Sequence, residues 1–191
     1  MSEIFMTNKD MLHLKGVHLA PYIQLATMLI GKTREGGGNM FRHQIDTMAI
    51  LIDYGYMDSV LLKASIVHDI IEDVPDFNHN LLSSIDYESH EVYDLVMEVS
   101  RQPGETKPQF LTRIYESGSE KARILKVADR ISNMISLGFV LNFDFVSRYT
   151  NETETYIFPI AELVDKSMLA ELKSLVDSRR QSLADFLRLA N

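Results

Sequence analysis

The chain has 191 residues and a mass of 21.8 kDa, with 46% hydrophobic and 24% charged residues. That is a globular composition, and it excludes a disordered or collagen-like chain. Nineteen Lys plus Arg stand against 27 Asp plus Glu, a net charge of −8, so an overall basic footprint for duplex DNA is absent.

Zero cysteines exclude a disulfide scaffold, a zinc–thiolate site, an iron–sulfur cluster and a cysteine nucleophile, leaving His, Asp and Glu to hold any metal. The opening MSEIFMTNKD shows no basic stretch followed by an apolar one, as a secretory signal would. Apolar segments are interrupted well short of the ~18 consecutive positions that a membrane span needs. These features lead us to expect a soluble, cytoplasmic protein, one domain over residues 1–191.

Along the chain, apolar residues recur at helical spacing. Ile45, Met48, Ala49 and Ile52 form a first stripe, and Leu61, Leu62, Ser65 and Ile66 a second. Val92, Leu95, Val96 and Val99 form a third, and Ile124, Val127, Ala128, Ile131 and Ile135 a fourth. Residues 167–190 read as a C-terminal amphipathic helix carrying Leu169, Leu172, Leu175, Val176, Leu183, Phe186 and Leu187. Its apolar face suits packing on the domain or on a second subunit. Turn signals separate the stripes at Gly36-Gly37-Gly38-Asn39, Asp53-Tyr54-Gly55, Val74-Pro75-Asp76, Gln102-Pro103-Gly104 and Glu116-Ser117-Gly118. With no strand pattern in view, the expectation is an all-α domain of about eight to ten helices.

The chemistry concentrates in Ser65-Ile-Val-His68-Asp69-Ile-Ile-Glu72-Asp73. On a continuous helix turning about 100° per residue, His68, Asp69, Glu72 and Asp73 project from one arc. Three carboxylates and an imidazole set among isoleucines and valines would repel one another and be costly to desolvate. A divalent cation relieves that conflict; the alternative is a solvent-facing polar stripe. In Lys126-Val-Ala-Asp129-Arg130-Ile-Ser-Asn133, Asp129 and Asn133 share a face, with Lys126 one turn back, either facing a substrate or pairing with a carboxylate. His43 opens the first stripe. Together His43, His68, Asp69 and Asp129 offer two imidazoles and two carboxylates, a set suited to a six-coordinate Mn2+, with Mg2+, Fe2+ or Co2+ as alternatives. Such a cation would acidify water and polarise a phosphoryl oxygen, with Glu72 or Asp73 accepting the proton. Basic side chains for the phosphates come from loops 31–42 (Lys32, Arg34) and 101–113 (Arg101, Lys107, Arg113) and from Lys126 and Arg130. Residues 72–98, by contrast, hold eight acidic side chains and no Lys or Arg.

These residues resemble the HD-domain metal phosphohydrolases, and within them the hydrolase domain of the RelA/SpoT family and its stand-alone relatives, the small alarmone hydrolases. His68-Asp69-Ile-Ile-Glu72-Asp73 is similar to that family's HDxxED motif, and Lys126-Val-Ala-Asp129-Arg130-Ile-Ser-Asn133-Met134 to its KxADRxxNM motif. Arg34 lies nine residues before His43, where the family places an arginine that packs on guanine. The resemblance spans about residues 20 to 165. It implies the HD-domain helical fold, one divalent metal held by His43, His68, Asp69 and Asp129, and Glu72 and Asp73 positioning and deprotonating the attacking water. Arg34 and Asn133 would contact the nucleotide, with Lys32, Lys126 and Arg101 as further candidate substrate contacts. The implied activity is Mn2+-dependent removal of the 3′-pyrophosphate of ppGpp or pppGpp, giving GDP or GTP and pyrophosphate. The chain length leaves no room for an added synthetase domain.

The sequence departs from the family at Glu35 (usually lysine), Gly36 (usually serine) and Gln44 (usually proline). The glycine run suggests a more mobile loop. Glu152-Thr153 follow the family's spacing, and Tyr156 lies one position from its usual tyrosine. Two alternatives remain: an HD phosphohydrolase for another nucleotide, such as a nucleoside mono- or triphosphate or NADPH, and a non-catalytic helical binding module.

Overall fold

A computed structural model describes residues 6–140 and 142–189, with the side chains of Leu187 and Leu189 outside the description. Ala190, the predicted end of the last helix, also lies outside the described residues. Among the described residues there are twelve α-helical segments and no strand; a single antiparallel bridge joins Thr33 to Asn39. Ten of the twelve helices are seven residues or longer. No described helix is long and apolar enough to cross a membrane.

Local signals start and stop these helices. The first, α1 (Asn8–Gly16), begins in a reciprocal capping box between Thr7 and Asp10. Pro21 sits in the first turn of α2 (Ala20–Ala26). Asn39 and Asp58 accept backbone N–H bonds at the starts of α3 (Met40–Asp53) and α4 (Ser59–Val67). Two single-turn helices, α5 (Ile70–Asp73) and α6 (Asn80–Ser83), lead to α7 (Ser89–Val99). Thr106 and Gln109 form a second capping box on α8 (Lys107–Ser117), and Ser119 caps α9 (Glu120–Ser136). After α10 (Phe143–Glu152) a π-helical stretch, Thr153–Ile157, runs into α11 (Phe158–Val164) and then the long α12 (Lys166–Leu189).

The centre of the packing is α4, whose residues from Val60 to Val67 are all buried. It lies against α2, α3, α7 and α9, while α9 also packs on α3, α11 and α12. Three of the four predicted stripes supply the core: the second and third are buried throughout, and the fourth is buried except for Ile135 at its end. The C-terminal helix packs on α9, α10 and α11 of the same chain through Met168, Leu169, Leu172 and Val176. Phe186, partly exposed, meets Phe143 with ring centroids 4.3 Å apart.

The first stripe departs from expectation. On α3 the buried residues are His43, Gln44, Thr47 and Leu51, whereas Ala49 is exposed and Ile45, Met48 and Ile52 are only half-buried. A count of apolar periodicity finds the apolar flank of this helix. The face turned toward α9 and α4 is largely polar because it builds the site.

Candidate metal and nucleotide site

The predicted continuous helix through residues 65–73 is broken at His68 and Asp69, and this break shapes the site. A continuing helix would offer the Ser65 carbonyl to the Asp69 N–H. Here that carbonyl accepts from His68 Nδ1–H at 2.8 Å. The Asp69 N–H turns instead to Gln44 Oε1 at 3.5 Å. Asp69 takes φ −97° and ψ 0°, and α5 begins after it. His68, Asp69, Glu72 and Asp73 therefore straddle two helices rather than lining one arc. His68 is buried, Asp69 and Asp73 are partly covered and Glu72 is exposed.

His68, from the end of α4, meets His43 of α3 at a ring-centroid distance of 5.3 Å, edge to face. Ligand atoms of His43, His68 and Asp69 lie within 4.8 Å of one another. Asp129 of α9 completes the set, its Oδ1 being 3.0 Å from His43 Nε2 and 3.8 Å from His68 Nε2. The structure thus brings together the four side chains that the sequence nominates. His43 Nδ1 shares a 2.8 Å hydrogen bond with Ser132 of α9, which fixes its ring.

The donor chemistry fits a divalent cation. With Nδ1 donating to a carbonyl, His68 turns its Nε2 toward the carboxylates, 3.2 Å from Asp69 Oδ2. That nitrogen is buried without a hydrogen-bond partner. Burial opposes charge on His68, yet Asp69 and Asp129 outweigh it and push the imidazole up to about 10. Burial likewise opposes the charge on both carboxylates, and is outweighed on Asp69 by His68 and on Asp129 by Lys126 and the two histidines, so both are held below the usual range. Carboxylates and imidazoles placed so closely demand positive charge between them, and the absence of thiolate makes the set one for a hard or borderline ion.

The substrate candidates sort clearly. Lys126 Nζ lies 2.8 Å from Asp129 Oδ2 and 5.0 Å from the Phe110 ring centre, which settles its pairing with a carboxylate. Asn133 donates to Asp129 and accepts from Arg34 at 2.7 Å; Arg34 also donates to Ser136 at 3.1 Å. Arg34 is thereby linked to the metal set through one side chain. Beside it lies a recess lined by Glu35, Gly36, Leu137, Val140, Phe145 and Tyr149, the two rings stacked at 5.6 Å. Lys32 pairs with Asp73. Burial, with help from the Asp69 charge, raises the Asp73 carboxyl despite the Lys32 bond. Glu72 accepts from the Arg101 backbone N–H at 2.8 Å and borders a broad groove with Arg101 and the 102–105 turn. Arg101 therefore meets Glu72 through its backbone. Arg113 is occupied by Glu105 and by the carbonyls of Glu98 and Ser100.

The remaining named residues form a second cluster. Arg130 is buried against Glu152 at 2.7 Å and Thr153 at 3.0 Å, with the Tyr149 ring 4.2 Å beneath its guanidinium. Lys107 shares Glu152 at 3.0 Å, and burial together with the Arg130 charge pushes its amine down. Glu152 and Thr153 thus serve Arg130, and Tyr149 rather than Tyr156 lines the recess. Gly36 owes its place to close approach, since a Cβ there would sit 3.0 Å from Ser136 Cβ and its carbonyl oxygen. The loop expected to be mobile is a hydrogen-bonded turn, with Arg34 N–H on Gly38 O and Gly37 N–H on Arg34 O. His13, His18, His79 and His90 are exposed and apart from the cluster.

No family model matches the chain. A probable guanosine-3′,5′-bis(diphosphate) 3′-pyrophosphohydrolase of Mycoplasma genitalium is 27% identical over 154 residues, covering 73% of this chain and 19% of that protein. The chain therefore spans about a fifth of the length of this curated relative. A solved structure described as a metazoan ortholog of SpoT that hydrolyzes ppGpp and plays a role in starvation responses superposes with a TM-score of 0.68 at 19% identity, covering 92% of this chain and 97% of its own. The chain has the all-α HD-domain fold. Both likenesses bear out the resemblance read from the HDxxED-like and KxADRxxNM-like segments, and the HD-domain fold places those segments against each other across α3, α4 and α9.

Proposed function

We propose that this protein removes the 3′-pyrophosphate of ppGpp or pppGpp, yielding GDP or GTP and pyrophosphate, with Mn2+ held by His43, His68, Asp69 and Asp129. The observation that carries the reading is the buried, unpartnered Nε2 of His68 facing two carboxylates and a second imidazole. A divalent cation bound there supplies Lewis acidity, lowering the pKa of water and drawing charge from a phosphoryl oxygen. Asp73, its carboxyl raised by burial, is suited to accept a proton, and its bond to Lys32 holds it in place. Glu72, fixed by the Arg101 N–H, stands one residue away as the second candidate. Lys126, Lys107 and Arg130 set three positive charges against the two carboxylates Asp129 and Glu152, a surplus of one that would attract the pyrophosphate. Arg34, beside the recess that Phe145 and Tyr149 line, offers a planar cationic face to a base.

A second reading has its own support. Glu35 places a carboxylate on the lining of the recess where the family resemblance leads one to expect lysine, so another nucleotide is the alternative substrate. Incubation with Mn2+ and a panel of ppGpp, pppGpp, nucleoside mono- and triphosphates and NADPH separates the two. Pyrophosphate released from ppGpp at the highest kcat/KM is expected. Inorganic phosphate from another nucleotide would transfer the assignment, and no turnover of any would favour a non-catalytic module.

A further inference from the structure

We infer that Gln44 is a positioning residue for the metal site: its side-chain amide holds Asp69 at two points and so sets how tightly a divalent cation is bound. The inference rests on the metal reading above and adds a residue that its motifs do not include.

Gln44 is fully buried on the polar face of α3, one residue after His43. Its Nε2 donates to Asp69 Oδ2 at 2.9 Å. A carboxylate can only accept, so the amide orientation is fixed, and Oε1 is left to receive the Asp69 N–H at 3.5 Å. Oδ2 is also the oxygen that faces both imidazoles, 3.2 Å from His68 Nε2 and 3.5 Å from His43 Nε2. Gln44 thus grips the ligating oxygen and the backbone amide that the broken helix leaves without its usual acceptor. A proline, which the resemblance leads one to expect at this position, could supply neither bond. Asp69 follows a helix break, and a ligand held by its neighbours binds metal more tightly than one that must be ordered on binding.

The test titrates Mn2+ alone into the purified full chain, wild type, Gln44→Met and Gln44→Leu, by calorimetry and by the electron paramagnetic resonance signal of free and bound Mn2+. Both substitutions keep side-chain bulk and remove the amide. Weaker binding by about 10–100-fold is expected, with an altered bound-Mn2+ spectrum and unchanged far-UV circular dichroism. Affinity within twofold of wild type in both variants overturns the inference. Loss of helix in both would assign Gln44 to the fold and overturn it too. If wild type binds no Mn2+, the metal reading falls and takes this inference with it. Mn2+ binding that depends on Gln44, without ppGpp turnover, would sink the substrate assignment alone.

Discussion

Lys63 is 1% exposed in the middle of α4, the helix that ends at His68. Its amine lies 2.7 Å from Asp86 and 2.5 Å from Glu88, while Tyr22 donates to Asp86 at 3.0 Å and Ser59 to Glu88 at 2.7 Å. Lys63→Met keeps the apolar stem and removes the charge, leaving two carboxylates facing each other. Breaking a buried pair costs about 3–5 kcal/mol. Because Asp86 and Glu88 are 14% and 18% exposed, water relieves part of this, and the low end, about 3 kcal/mol, applies. For a chain of this size that lowers the thermal midpoint by about 6–12 °C, readable by calorimetry at pH 7. Tyr22→Phe removes one hydrogen bond to a charged group but leaves Asp86 its lysine, and should cost about 1.5 kcal/mol. The pH profile supplies an independent check. Burial raises the Asp86 carboxyl, but Lys63 and Tyr22 outweigh it and hold it below its ordinary 3.8. The stability it contributes is therefore present above about pH 4 and is lost as pH falls through the lowered value. The gap between wild type and Lys63→Met should be level from about pH 5 to 8 and narrow below about pH 4. A midpoint within about 2 °C of wild type, or a gap that widens in acid, would mean that Lys63 does not hold the two carboxylates.

Two further substitutions probe the site. Arg34→Ala should raise KM for ppGpp by about 10-fold with kcat changed by only a few-fold, as expected for a group that binds a base through its cation and planar face; an unchanged KM would remove Arg34 from recognition. Asp73→Asn should lower kcat by about 10²–10⁴-fold while Mn2+ affinity holds. An equal fall in Glu72→Gln with a normal rate in Asp73→Asn would move proton acceptance to Glu72.

Much of this architecture is legible in the amino-acid order. Val92, Leu95, Val96 and Val99 read as a buried face and are one, and the turn signals at residues 36–39 and 102–104 fall between helices. The four candidate ligands emerge as two short segments plus one histidine. What periodicity misses has a common physical origin, since it scores apolar spacing and the site is built by buried polar residues. On α3 it selects Ile45 and Met48 over His43 and Thr47. In α4 it passes over Lys63, whose long apolar stem sits among leucines and whose charge is satisfied from a distant turn. The helix break after His68 joins a local bond, His68 Nδ1 on the Ser65 carbonyl, to a distant one, Gln44 on the Asp69 N–H from 25 residues away, and apolar spacing registers neither. Ser132 and Tyr149 escape for the same reason: their partners His43 and Arg130 lie on other helices.

The proposed reaction directs water onto the 3′-pyrophosphate of a guanosine alarmone at the His43, His68, Asp69 and Asp129 site. Turnover of ppGpp with Mn2+ in 18O-labelled water, followed by phosphorus magnetic resonance, tests it most directly. One 18O in the released pyrophosphate, unlabelled GDP, and no reaction with Asp129→Asn are expected. Label in inorganic phosphate or in the GDP, or turnover that survives loss of Asp129, would contradict it.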